Sequence, residues 1–359
     1  MATGTRHWPN ASVRHGARDN RRMTTLVPLI ETFRGGTLEC QHFGAVAVVD
    51  TTGRLVAHAG DPHWVTFTRS TLKALQALPF VKAGGPAHFG FSEGQVAMMC
   101  ASHNGEPMHV AQVEGMLERT GLTRKALQCG CHVPMFADLG IAPVPAPGTY
   151  DERHHNCSGK HAGFLAWCVQ HGQPIGTYLA PGHPLQQAIR REVARATGLP
   201  PEDLKLGIDG CSAPNFAMPI SALARAYARL ASGERDAESG ESFAQLSHAM
   251  TAHPELVSGT ARSDLAFMRA GRGDWVTKVG ADGVQAFAST SRGQAFAIKV
   301  SDGNKVALFA ATIAVLDQLG WLDARQRDEL RPWRSEAIAN ARGTQVAQRK
   351  PAFRLRTAA

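Results

Sequence analysis

No stretch of the chain approaches the roughly eighteen uninterrupted apolar residues that a helix needs to cross a bilayer, so no membrane span is expected. The first residues lack the apolar region of a secretory signal and are arginine-rich instead. Aromatics are scarce, at 7% of residues, and neither basic end interleaves them with its arginines as a base-stacking surface would. A nucleic-acid partner is therefore not expected. There is no internal repeat, and no cysteines stand in the paired spacing of a structural zinc finger. The seven cysteines are odd in number, in a chain of 359 residues that needs no covalent staples. Free thiols in a reducing cytoplasm fit that better than a disulfide framework.

What is present suits a globular enzyme, with 43% hydrophobic and 19% charged residues and ample material for a core. The formal charge of +8 is unevenly placed: residues 1–23 carry +4, residues 331–359 carry +6, and the body between is about −2. The expected organisation is a disordered basic leader at 1–23, a catalytic domain at 24–330 and a solvated basic tail at 331–359. Met23 offers a natural start to the ordered chain.

The pattern predicts strands at Thr25–Phe33, Thr37–Phe43, Ala45–Val49 and Leu55–Ala59, the last two flanking a turn at Asp50-Thr51-Thr52-Gly53. Helical periodicity follows at Ser70–Val81, Ser92–Ala101 and Pro107–Arg119. Residues 128–158, rich in Pro, Gly, Cys and His, read as a long loop. Helices resume at Gly159–Gln170, Pro184–Thr197, Ser221–Ala231, Ser242–Ala252 and Ala261–Arg269. Strands return at Trp275–Val279, Val284–Ser289 and Ala295–Val300, and a helix at Lys305–Leu319 completes the ordered part. Strands at both ends of a helical middle predict an α+β fold, with one antiparallel sheet built from chain-distant segments and packed on a helical subdomain.

Ser70 and Lys73 open a predicted helix three residues apart, so the lysine can reach the serine hydroxyl. A serine needs a base to become a nucleophile, and a lysine desolvated in a pocket can be neutral enough to serve. Alone, this spacing is the ordinary one of a helix cap beside a surface lysine. Ser102-His103-Asn104-Gly105-Glu106 at the end of an apolar helix, and Lys278-Val279-Gly280 at the end of a strand, add to it. An ordered S-x-x-K, S-x-N and K-x-G set is that of serine β-lactamases and penicillin-binding proteins.

Asn156-Cys157-Ser158-Gly159-Lys160-His161 and Asp209-Gly210-Cys211 hold cysteine, histidine and aspartate, residue types that can bind zinc or simply pack. Cys157 at a helix start near Lys160 and His161 is also a candidate reactive thiol.

Together Arg69-Ser70-Thr71-Leu72-Lys73, Ser102 to Glu106, Asn156 to His161, Asp209-Gly210-Cys211 and Lys278-Val279-Gly280 resemble the asparaginase II family, over about residues 25–320. The resemblance implies a serine β-lactamase and glutaminase-like fold, a homodimer, and hydrolysis of L-asparagine to L-aspartate and ammonia. It implies Ser70 as nucleophile with Lys73 as base, and Ser102 with Lys278 relaying protons. It also implies a zinc site at Cys157, Lys160 and Cys211, with Arg69, His103, Asn104, His161 and Asp209 around the substrate. The segment Cys129-Gly130-Cys131-His132 departs from the family, which more often has proline in place of Cys131. A glutaminase or β-lactam hydrolase on the same scaffold, and a non-catalytic zinc- or thiol-sensing protein, are the rival readings.

Overall fold

The structure, a computed structural model, describes residues 25–358; the expected basic leader lies outside them. Twelve strands occur among the described residues. The first four are β1 (Val27–Arg34), β2 (Thr37–Asp50), β3 (Leu55–Ala59) and β4 (Val65–Phe67). A central pair, β5 (Lys205–Ile208) and β6 (Pro214–Pro219), was not legible in the pattern. Then come β7 (Trp275–Gly280), β8 (Val284–Ser289) and β9 (Gln294–Val300), followed by β10 (Ala337–Ala339), β11 (Gln345–Pro351) and β12 (Arg356–Thr357).

Nine of these strands form one antiparallel sheet along β10-β11-β1-β2-β9-β8-β7, with β3 on β2 and β12 on β3. The join between chain-distant halves is β2 with β9, in register from Gly44 opposite Val300 to Asp50 opposite Gln294. The two strands expected at Thr37–Phe43 and Ala45–Val49 are one long strand, because Gly44 continues the ladder. Lys299's carbonyl and Leu29 come too close to Gly44 for any side chain there.

Strand alternation decides the layering. Ala45, Ala47 and Val49 of β2 face one core, while Val46 and Val48 face the other. On the first face Ala286, Ala288, Ala295 and Ala297 keep the surface low, so helix Ile220–Ser232 packs directly on the sheet. The opposite face carries bulk: Phe287 stacks on Phe296 with ring centroids 5.0 Å apart, beneath the almost wholly apolar helix Lys305–Gln318. Helix Lys73–Lys82, buried at nine of its ten positions, forms the middle of the helical subdomain. No helix among the described residues is long and apolar enough to cross a membrane.

Much of the expected solvated tail at 331–359 instead joins the sheet, at Ala337–Ala339, Gln345–Pro351 and Arg356–Thr357. β11 pairs with β1 from Ile30 opposite Pro351 to Phe33 opposite Gln348, and β12 pairs with β3. Ala347 and Phe353 are buried, and Trp333 packs against Phe267 and Phe309. The arginines that suggested coil lie mostly on the exposed sides of this border; net charge does not distinguish a solvated strand edge from a tail. In the long loop at 128–158 only one helical turn, Met135–Asp138, and a short 3-10 turn, Glu152–His154, are regular.

Candidate active site

Ser70 sits at a strained corner. The chain leaves β4, buries Thr68, and turns through Arg69 at φ +51° before a 3-10 turn, Arg69–Leu72, leads into helix Lys73–Lys82. A left-handed conformation at a non-glycine residue costs on the order of 1–3 kcal/mol and persists only when its surroundings enforce it. Asn215 of β6 enforces it here, accepting from Arg69 N and donating to Arg69 O, each at 3.0 Å. Strand β7 runs close alongside, and a side chain at Gly280 would meet Thr68 O at 3.0 Å and Arg69 Cβ at 3.2 Å. Lys278-Val279-Gly280 is thereby held against the serine's turn.

Lys73 is buried, and its Nζ hydrogen-bonds with Ser102 Oγ at 2.9 Å, with Ala101 O and with Asn156 O at 3.4 Å. No hydrogen bond joins it to Ser70, whose hydroxyl has no protein partner among the described residues and is half-buried. Lys278 is not paired with Ser102 as expected. Its ammonium donates to Asp264 Oδ2 at 2.7 Å and to Val279 O at 2.9 Å, and Asp264 also accepts from Val279 N at 2.8 Å. The reason is electrostatic: a fully buried ammonium takes the nearest carboxylate over a hydroxyl. Burial nevertheless pushes Lys278 down to about 8, against the pull of Asp264 and with the help of repulsion from Lys73.

Cys157, Lys160 and Cys211 are brought together and buried. Lys160 Nζ lies 3.1 Å from Cys211 Sγ. A hydrogen bond from Cys157, together with the Lys160 ammonium, holds the Cys211 thiol far below its usual range, while the same bond raises Cys157. Lys160 is raised, because attraction to the two sulfurs overcomes the effect of burial. His161, one residue on, contacts Tyr178 OH through Nδ1 at 2.7 Å and leaves Nε2 buried without a hydrogen-bond partner. Cysteine sulfur, a neutral amine and imidazole are donor types suited to a borderline-soft ion such as zinc, although no group of three or more His, Cys, Asp or Glu side chains among the described residues is arranged to hold one.

The helix carrying this cluster, Ser158–Gln170, packs on helix Glu93–Met99 through Gly159, where an added Cβ would fall 2.3 Å from Met98 O. Gly159→Ala is expected to push these helices apart and cost about 1–3 kcal/mol, read as a lower urea midpoint. A midpoint equal to wild type would contradict this packing.

Arg69 reaches outward, donating through Nε to Asp209 Oδ1 at 2.9 Å and pairing with Asp282. Two other expected substrate residues are occupied within the protein. His103 contacts Ser158 Oγ at 2.9 Å, accepts from Gly105 N, and is kept neutral because burial holds its pKa well below the usual value. The Asn104 amide donates to Glu106 and to Thr260 O and accepts from Arg262. Both residues shape the turn after Ser102: His103 has both ring nitrogens engaged, and Asn104 has both amide hydrogens engaged.

Against known families, the model described as L-asparaginase II matches residues 30–351, nearly the whole described chain. This chain belongs to the L-asparaginase II family. The match runs through β11, so the C-terminal strands lie within the family's own extent. Membership makes the chain an amidohydrolase of that family. No curated protein sequence matches it. Among solved structures, a β-lactamase from Mycobacterium bovis is 17% identical with a TM-score of 0.40, covering 77% of this chain and 94% of its own. A penicillin-binding protein homolog from Caulobacter crescentus is 16% identical with a TM-score of 0.38, covering 76% and 92%.

Three residues of this asparaginase-family site carried no sequence signal of their own. Asp264 lies 14 positions from the lysine it holds, at the start of helix Ser263–Gly271. Asn215 lies 146 positions from the backbone it clamps. Arg262, its pKa lowered by burial, is tied to Asn104 and the Met135 sulfur. Only Asn215 had a pointer, standing four residues beyond the Asp209-Gly210-Cys211 block.

Proposed function

We propose that the chain is an L-asparaginase, hydrolysing L-asparagine to L-aspartate and ammonia through an ester on Ser70. The observation that carries the reading is the Lys73–Ser102 hydrogen bond, set beside the Ser70 turn with Lys278 close enough to repel Lys73. Ser70 is the half-buried serine and Ser102 the enclosed one, 3% exposed, so a substrate meets Ser70 first. Ser70 Oγ attacks the side-chain amide carbon, and its proton passes to the lone pair of Lys73 as the neutral amine, which lies on the same helical face. The Ser70 amide belongs to the first helical turn, where N–H groups lack intrahelical acceptors, and can donate to the oxyanion. Ser102 returns a proton from Lys73 to the departing ammonia, and water then releases aspartate. Arg69 is suited to the substrate α-carboxylate and Asp209 to its α-amino group, each now held by the other.

Lys278 works in this scheme in its neutral form, which places no second positive charge beside Lys73 as Lys73 takes up the Ser70 proton. The expected profile of kcat/KM rises through about pH 8, the value at which Lys278 loses its proton. The same depressed pKa implies stability that is fully present above the ordinary value of 10.5 and is lost as pH falls through about 8. A flat profile between pH 7 and 9, for rate and urea midpoint alike, would remove this role.

Cys157, Lys160 and Cys211 would hold a zinc ion, with His161 beside them; bound there, it would supply a fixed positive centre next to the substrate pocket. Lys160 must surrender its proton to serve as a ligand, so zinc affinity should increase with pH. Metal analysis of dialysed protein should find about one zinc per chain, lost in Cys211→Ser. Zinc retained at wild-type level in that variant would move the site elsewhere. Ammonia release from asparagine, glutamine and hydrolysis of a chromogenic β-lactam, measured side by side, tests the substrate; preference for glutamine or the β-lactam would overturn it. As in the family expectation, the assembly is proposed to be a homodimer.

A further inference from the structure

At the end of the main sheet remote from Lys278, a cavity of about 610 Å³ opens between the β2–β3 turn, the C-terminal part of helix Ile220–Ser232 and the β8–β9 turn. Four arginines line it, Arg225, Arg229, Arg235 and Arg292, against two carboxylates, Asp236 and Glu238, so its wall is net positive by two. Both carboxylates are consumed by Arg229, at 2.7 Å and 3.1 Å. Arg235 and Arg292 touch only carbonyl oxygens, those of Ser232, Thr290 and Gly320.

Arg225 is the decisive residue. No carboxylate pairs with it among the described residues, and its Nε is buried with no hydrogen-bond partner. It is also locked in place by two glycines with positive φ. A Cβ at Gly198, which caps helix Pro184–Thr197, would lie 2.1 Å from Arg225 Nη1, and one at Gly53 would lie 2.5 Å from its Cδ. A half-buried guanidinium without a counter-charge is costly, and one that is already immobile loses little freedom on meeting an anion. Its planar fork matches phosphate oxygens.

We propose that this cavity binds a small phosphate-bearing molecule, its phosphate oxygens taken by Arg225 with Arg235 and Arg292. The volume falls in the range of small-ligand sites, about 300–1,000 Å³. The Thr51 hydroxyl adds a donor, whereas those of Thr52 and Ser232 are already given to Asp50 and to Ala228 O, and no aromatic side chain lines the cavity. The ligand is accordingly a sugar phosphate or diphosphate rather than one recognised by stacking of a base. The site is separate from the Ser70 chemistry and does not depend on it.

The test is calorimetric titration of the full chain with inorganic pyrophosphate and with ribose 5-phosphate, against malonate at matched ionic strength. Saturable binding of at least one phosphate compound is expected, weakened about tenfold or more in Arg225→Gln and in Arg292→Gln. Arg292 is exposed, so that variant keeps the test valid if Arg225→Gln folds poorly. Asparagine turnover at unchanged kcat should persist in Arg292→Gln. Absence of saturable binding, malonate binding as tight as pyrophosphate, or undiminished affinity in the folded variants would each overturn the proposal.

Discussion

Ser70→Ala is expected to lower asparagine turnover about a thousandfold or more, because removal of a nucleophile leaves only the binding and oxyanion contributions. The fold should be indifferent to the change: the Ser70 hydroxyl is half-buried and makes no hydrogen bond among the described residues. Ser102→Ala should behave differently. It strips Lys73 of one of its partners, leaving the Ala101 and Asn156 carbonyls, and removes a proton relay rather than the attacking atom. Its loss should be about a hundredfold, the order of one general acid–base contribution. Initial rates of ammonia release for the two variants, with matched urea midpoints, separate the roles. An equal or larger loss in Ser102→Ala would exchange them.

The second large effect falls on stability. Asp264→Ala would leave the Lys278 ammonium enclosed, 1% exposed, with only the Val279 carbonyl as acceptor. Breaking a buried pair from one side costs about 3–5 kcal/mol, whereas replacing both partners by apolar groups is often neutral. The single variant should therefore unfold at markedly lower urea concentration, and Asp264→Leu combined with Lys278→Met should recover most of the loss. That double variant should remain impaired in turnover, since the amine is gone. A single variant as stable as wild type would mean that Lys278 is neutral throughout the folded state at the pH of measurement.

How far the sequence spoke depended on how local each interaction was. The alternation of β2 and the apolar runs of β7, β8 and β9 predicted the sheet and its joining of chain-distant halves. Their signal is a period repeated along one segment, which neighbours do not alter. The C-terminal strands failed this way of reading because Arg349, Lys350, Arg354 and Arg356 sit on a border whose few buried anchors, Ala347 and Phe353, are too sparse to show a period. In the site, the motifs brought Ser70, Lys73, Ser102 and Lys278 into one neighbourhood, and the Cys157 cluster beside them. The pairing within that neighbourhood did not follow from the motifs. Lys73 took Ser102, and Lys278 took Asp264, because a buried charge selects its partner in three dimensions and no spacing rule records the choice. His103 and Asn104 show the converse: their motif position suggested ligand contact, while Ser158, Arg262 and Thr260 already use their polar atoms.

The central claim is that the amide carbon is transferred to Ser70. It is tested most directly by acid-quenching the enzyme during turnover of asparagine and locating the bound acyl group by peptide mass spectrometry. The account predicts one aspartyl group on the peptide that contains Ser70, absent from Ser70→Ala. An aspartyl group on Ser102 or Cys157, or steady ammonia release from Ser70→Ala at the wild-type rate, would contradict it.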